Sequence, residues 1–159
     1  MISNLVSISG KPYEIGELSY GHRQYVDRLY QFDYISTGLH GCLHIKPHGD
    51  DKMISEDEPC FSFYCEKDIN LYVLYPDIQP VLPKWLMDFE RMRMNVTRLD
   101  SMPSNLKGYF SIYRKIYKKG HITLNGNSPL GMLANQGYVN TFGTGYCMYS
   151  VCIKPIDNL

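Results

Sequence analysis

At 159 residues the chain carries sixteen basic and sixteen acidic side chains, a formal net charge of zero, and so lacks the basic surplus that phosphate contacts demand of nucleic-acid binders. Hydrophobic residues make up 44% and charged residues 20%, a balance that excludes disorder and suffices for a full core without disulfide or metal staples. The basic pairs Arg114-Lys115 and Lys118-Lys119 read as solvated strand edges, and no apolar stretch approaches the roughly 20 residues of a membrane helix, so neither nucleic acid nor membrane is expected as a partner.

The opening MISNLVSISGKPYEIGEL has no basic stretch followed by an apolar run, so the expectation is synthesis in the cytoplasm without a signal peptide. Strand signals then dominate, because fourteen Tyr and six Phe fall mostly in short alternating runs suited to a half-buried pleated surface. The candidate strands are Leu5–Ser9, Leu29–Ile35, Cys42–Lys46, Cys60–Cys65, Ile69–Tyr75, Asn95–Leu99, Tyr109–Tyr113, His121–Leu124 and Tyr146–Lys154. Turn chemistry separates them, at Pro47-His48-Gly49-Asp50, Lys67-Asp68, Pro76-Asp77 and Asn125-Gly126-Asn127. Trp85–Met94, opened by Pro83, is the one helical candidate, as a short turn of helix or an irregular crossover. The glycine-broken segment Asn125–Phe142 reads as a long loop. Without strand–helix alternation, these elements predict one all-β domain over 1–159, a β-sandwich or jelly roll of about eight or nine short antiparallel strands.

Five cysteines leave at least one thiol unpaired. Cys60/Cys65 and Cys147/Cys152 are each five apart, which sets the members of a pair on opposite faces of a straight strand and predicts reduced thiols. His40, Cys42 and His44 share a strand face, with His48 nearby, but their spacing fits no common zinc motif and no metal is expected. Asp50-Asp51 with Glu56-Asp57-Glu58 lacks the spacing of a calcium loop and reads as a solvated turn. The chain has no nucleophile elbow, zinc-protease helix motif or phosphate-loop lysine, so catalytic residues and cofactors are both expected to be absent. Trp85, the single tryptophan, reads as a core or sheet-capping residue, with a sugar-stacking platform as the alternative. Tyr72, Tyr109 and Tyr113 are expected to pack. Tyr138, Tyr146 and Tyr149, with Met132, Leu133 and Phe142, are the expected contact residues of a docking surface on the long loop.

Three stretches carry a resemblance. The first is Tyr25-Val-Asp27-Arg28-Leu-Tyr30, then Leu39-His-Gly41 and Asp50-Asp51-Lys52. Next come Leu71-Tyr72-Val73-Leu74-Tyr75 and Pro83-Lys-Trp85-Leu86. Last are Phe110-Ser-Ile-Tyr113 and Tyr117 to Asn127, closed by Tyr149–Ile153. In this order they resemble small β-sandwich accessory domains, like carbohydrate-binding modules, of large secreted bacterial proteins, many acting on glycans. The resemblance implies a sandwich, a non-catalytic role, and structural duties for Asp27, Arg28, Asp51, Lys52 and Asn127. Two functions follow as expectations. One is an accessory subunit of a larger assembly, such as a phage virion decoration or tail component, partnered by other protein subunits. The alternative is a carbohydrate-binding module recognising a surface or cell-wall glycan.

Overall fold

The computed structural model describes residues 1–79, 81–99, 107–128 and 147–156. Its strands are β1 (Ile2–Ser7), β2 (Glu14–Glu17), β3 (Gln31–Ile35), β4 (Leu43–Lys46), β5 (Pro59–Cys65), β6 (Ile69–Pro76), β7 (Glu90–Leu99), β8 (Lys107–Tyr117), β9 (Gly120–Asn125) and β10 (Ser150–Pro155). They form two antiparallel sheets, a small one ordered β1-β5-β9 and a large one ordered β2-β4-β10-β6-β8-β7-β3. The predicted all-β sandwich is what forms.

The middle of the large sheet is buried on both faces. Along β6, Ile69, Leu71, Val73 and Tyr75 enter the core between the sheets, while Tyr72 and Leu74 enter a second core behind. This is why Leu71-Tyr72-Val73-Leu74-Tyr75 reads as a continuous apolar run rather than an alternation. The first core is filled from the small sheet by Phe61, Phe63, Ile122 and Leu124. The second is closed by Phe32 and Ile35 of β3 together with Leu18, Leu39 and Cys42 from the connections.

Residues 18–31 bridge the two outer strands of the large sheet. Leu18 N donates to Cys42 O at 2.9 Å beside β4, and Gly21 N donates to Phe32 O at 2.8 Å on β3. Phe32 N returns a bond to His22 O at 3.0 Å, and Gln24 N one to Tyr30 O at 3.1 Å. The sheet therefore curls around the second core.

Several expectations need correction. Trp85–Met94 is not helical as a unit: a 3-10 turn spans Lys84–Asp88, and Glu90–Met94 belongs to β7. Met92 and Met94 pack against the second core while Arg91 and Arg93 are exposed, a period of two rather than 3.6. β2 was not foreseen, since Glu14-Ile15-Gly16-Glu17 is short and polar. Cys60 and Cys65 do not face opposite ways. A bulge between Pro59 and Phe61 turns both into the first core, where burial raises their thiols to about 12 and about 11. All five cysteines are free thiols.

Candidate functional site

The small sheet is narrower than its partner. Side chains of β4, β10 and β6 meet it, and β8 adds Tyr113 with the partly buried Tyr117 at its end, while among the described residues none of β7 or β3 joins it. Among the described residues, nothing thus covers the far side of the large sheet on this face. Because successive residues alternate, Ser111 and Tyr109 of β8 share the Tyr113 face on the side away from Tyr117. Cross-strand register extends the row, pairing Tyr109 with Thr97 and Thr97 with Tyr34. Tyr34 and Tyr109 are 45% and 55% exposed, flanking a buried Thr97. A bulge in β3 sets both Asp33 and Tyr34 against Thr97. Thr97 Oγ1 donates to Asp33 Oδ1 at 2.5 Å, and Lys107 Nζ lies 3.1 Å from Asp33 Oδ2. Burial works against the Asp33 carboxylate, yet the Thr97 hydroxyl and Lys107 ammonium hold it below the usual range.

Two clefts border this row and share Pro76 and Asp77 of the turn after β6. The larger, about 230 Å³, is lined by Tyr75, Asp77, Gln79, Leu82, Arg91, Ser111 and Tyr113. The smaller, about 160 Å³, lies between that turn and Arg98, Lys107, Tyr109 and Phe110. A hydrogen-bonded relay crosses the larger cleft: Arg91 Nη2 donates to Ser111 Oγ at 3.2 Å, and Ser111 Oγ donates to Asp77 Oδ1 at 2.6 Å. Buried amides form its floor. Gln79 Nε2 donates to Asn127 O at 3.3 Å, Gln79 Oε1 accepts from Cys147 N at 3.1 Å, and Asn127 Nδ2 donates to Cys147 O at 2.9 Å. Asn127 thus ties the end of β9 to the start of β10. Beneath the smaller cleft Arg98 is 2% exposed. Its guanidinium lies 4.4 Å from the Tyr30 ring centre and 4.9 Å from those of Tyr25 and Phe110, and it donates to Gln24 Oε1 at 2.6 Å. Asp77 is the one carboxylate among the described residues lining either cleft. The arrangement offers an acceptor, a guanidinium, amides and aromatic faces, which suits holding polar groups more than splitting bonds.

The other predicted residues lie elsewhere. Asp51, 1% exposed, accepts from Tyr13 Oη at 2.6 Å and Ser9 Oγ at 3.0 Å, with Lys11 Nζ at 3.7 Å. It pins the connection between β1 and β2 to the 3-10 turn Gly49–Met53, which also holds Lys52. Asp27 and Arg28 pair with each other; Asp27 Oδ1 accepts from Gly49 N at 2.7 Å, and Arg28 Nη2 donates to Asp50 Oδ1 at 2.8 Å. With His48, Asp27 and Asp50 form the one group among the described residues whose donor atoms lie close enough to hold a metal ion. Arg28 pairs with both carboxylates and lowers the carboxyl of Asp50, so one guanidinium already offsets part of their charge. His40, Cys42 and His44 do not converge. His40 is exposed with Nε2 3.0 Å from Ile35 O, whereas Cys42 and His44 are buried, His44 edge-on to Phe32 at 5.3 Å. Of the acidic turn, Asp50 and Asp57 are exposed and Glu56 lies 3.8 Å from Lys84 Nζ. Among the basic pairs, Arg114 Nη2 meets Glu90 at 2.8 Å and Lys118 Nζ meets Asp68 at 3.4 Å.

Trp85 is half-buried, with Nε1 donating to Gly126 O at 2.8 Å and its ring 5.2 Å from that of Tyr149. Gly126 cannot carry a side chain there, since a Cβ would stand 2.1 Å from Ile54 O. Tyr149 is corrected: it is fully buried in the first core and its hydroxyl donates to Asn125 O at 2.5 Å, so it is no contact residue. Tyr109 is corrected the other way, from packed to exposed, while Tyr72 and Tyr113 are buried. Met132, Leu133, Tyr138, Phe142 and Tyr146 lie outside the described residues. Sequence reasoning passed over Asp77, Arg91 and Ser111. The available signals were a serine inside the apolar run of β8 and the arginine–methionine alternation of β7.

No protein-family model and no curated protein matches the chain. Among solved structures, it is similar to part of a β-glucuronidase from glycoside hydrolase family 2, at 19% identity and a TM-score of 0.73, covering 96% of this chain and 14% of that one. It is also similar to part of a family 138 glycoside hydrolase targeting pectin rhamnogalacturonan II, at 13% identity and a TM-score of 0.52, covering 80% of this chain and 15% of that one. At these identities the likeness is one of fold. No helix among the described residues is long and apolar enough to cross a membrane.

Proposed function

We propose that the chain is a non-catalytic accessory module that binds glycans on the uncovered face of its large sheet. The observation that carries this reading is the register of exposed Tyr34 and Tyr109 across Thr97, beside a cleft holding the Arg91–Ser111–Asp77 relay. Aromatic faces stack on the apolar face of a pyranose, and a carboxylate next to a guanidinium matches hydroxyls that both donate and accept. Glycosidases typically flank the scissile bond with two carboxyl groups, one of them a protonated acid. Here a single carboxylate among the described residues lines the clefts, and the Thr97 hydroxyl and Lys107 ammonium lower the carboxyl of nearby Asp33 despite its burial. The fold likeness to segments of two glycan-degrading enzymes, each about one-seventh of its chain, fits an accessory role. Nothing among the described residues favours the alternative of an assembly subunit such as a virion component.

A glycan array probed with the purified chain tests the proposal. Binding to at least one saccharide class, abolished by Tyr109→Ala with the fold intact, is expected. Absence of binding across neutral and acidic glycans alike would overturn it.

A further inference from the structure

The charge on the uncovered face goes further than a generic sugar site. The chain as a whole is neutral, yet the groups gathered on this face are not balanced. Lys107 and Asp33 neutralise each other at 3.1 Å. The carboxylate of Asp77 is engaged by the Ser111 hydroxyl at 2.6 Å. Arg91 reaches that same hydroxyl at 3.2 Å, and among the described residues it makes no ion pair. Arg93, two positions along β7, is likewise exposed and without an ion pair among the described residues. Its neighbours Met92 and Met94 turn to the second core, so Arg93 points away from it, as Arg91 does. Two guanidinium groups against one carboxylate leave the face with a positive surplus beside its aromatic row.

We infer that the ligand is an acidic saccharide, one containing uronic acid residues, whose carboxylate is received by Arg91 and Arg93. The inference rests on the glycan-binding reading above and names its substrate class. Arg91 is suited to the task because Ser111 fixes one of its five N–H groups, leaving the rest of a planar fork that matches a carboxylate bidentately. Ser111 in turn is fixed by Asp77, which thereby positions the arginine while keeping an oxygen for a sugar hydroxyl. Tyr109 and Tyr34 supply stacking faces indifferent to charge, so the arginines select and the tyrosines hold. A neutral sugar would leave both guanidinium groups without a counter-charge.

Calorimetric titration with an oligogalacturonide and with its fully methyl-esterified form discriminates the outcomes, since the two differ chiefly in charge. The free acid is expected to bind roughly tenfold more tightly or better, as charge-assisted pairing implies. The preference should shrink as salt is added, because the site is exposed. Arg91→Gln/Arg93→Gln should lose the preference, the acid binding no more tightly than the ester, with an unchanged melting profile, since both side chains lie on the surface. Equal affinity for acid and ester would overturn the inference and leave a neutral-glycan module standing. Retained preference in the double variant would also overturn it, moving the carboxylate elsewhere. Binding of neither form, together with a blank glycan array, would remove the glycan reading itself and this inference with it.

Discussion

The large sheet does two different things along its width. Across β4, β10 and β6 the face toward the small sheet carries Ile45, Val151, Ile153, Leu71 and Val73, all fully or almost fully buried. Across β8, β7 and β3 the same face carries Tyr109, Ser111, Thr97 and Tyr34, of which the two tyrosines are about half exposed. β4, β10 and β6 pair without a break, whereas the pairings of β7 with β3 and with β8 each shift register once, yet both halves keep the second core behind them. What changes is whether, among the described residues, anything sits in front. The contrast teaches that a β-sandwich can support an exposed polar and aromatic row at little conformational cost, because the opposite face of the same strands is already anchored by Val96, Phe110 and Ile112.

The comparison can be tested by unfolding measurements. Phe61 lies in the covered half, fully buried and stacked 6.2 Å from Phe63. Phe61→Ala should lower stability by about 3–5 kcal/mol in urea titration, as large-to-small core changes do. A loss near zero would mean that the two sheets are not held together by this core.

The second core is probed by pH. His44 is fully buried, and burial, helped by Lys46 and His22, pushes its imidazole down to about 3. The folded state keeps it neutral, whereas an unfolded histidine takes up a proton near 6.5. Its contribution is therefore complete above about pH 6.5 and is lost as pH falls toward 3, at up to about 1.4 kcal/mol per pH unit. Between neutrality and pH 5 this group alone should cost about 2 kcal/mol, and His44→Leu should flatten that part of the profile. Identical acid profiles in the two proteins would show that His44 does not govern this limb.

The smallest effect belongs to the uncovered half. Tyr109→Ala and Tyr34→Ala should each change stability by no more than about 0.5 kcal/mol, as surface substitutions do. A larger loss for either would mean that something packs on this row, and the contrast between the halves would dissolve.

How far sequence reached follows the same division. The strands β4, β5, β8 and β9 were legible from apolar residues recurring at period two, and β6 from its continuous apolar run. β2 was too short and too polar to show, and the β5 bulge that turns Cys60 inward leaves no mark in residue order. The stretch Glu90–Met94 was misread because methionines suit helices as well as strands, although arginines in every second place favour the strand. The site was hardly legible. Tyr109 and Tyr113 are identical residues on one face of one strand, and only the width of the opposing sheet decides that Tyr113 packs and Tyr109 does not. Asp77, Ser111 and Arg91 come from three strands or turns, and no sequence spacing announces their meeting.

The return of residues 21–24 along β3 has one more consequence. An outermost strand ordinarily offers a line of unused amides and carbonyls, onto which a foreign polypeptide can add itself as a further strand. Here His22 and Gly21 already take both backbone groups of Phe32, and Gln24 bonds Tyr30. Strand addition is blocked at Phe32 on that border, which narrows one route to self-association and to peptide capture. Whatever approaches this end of the sheet must be read by side chains, and a non-peptide ligand gives up nothing by that arrangement.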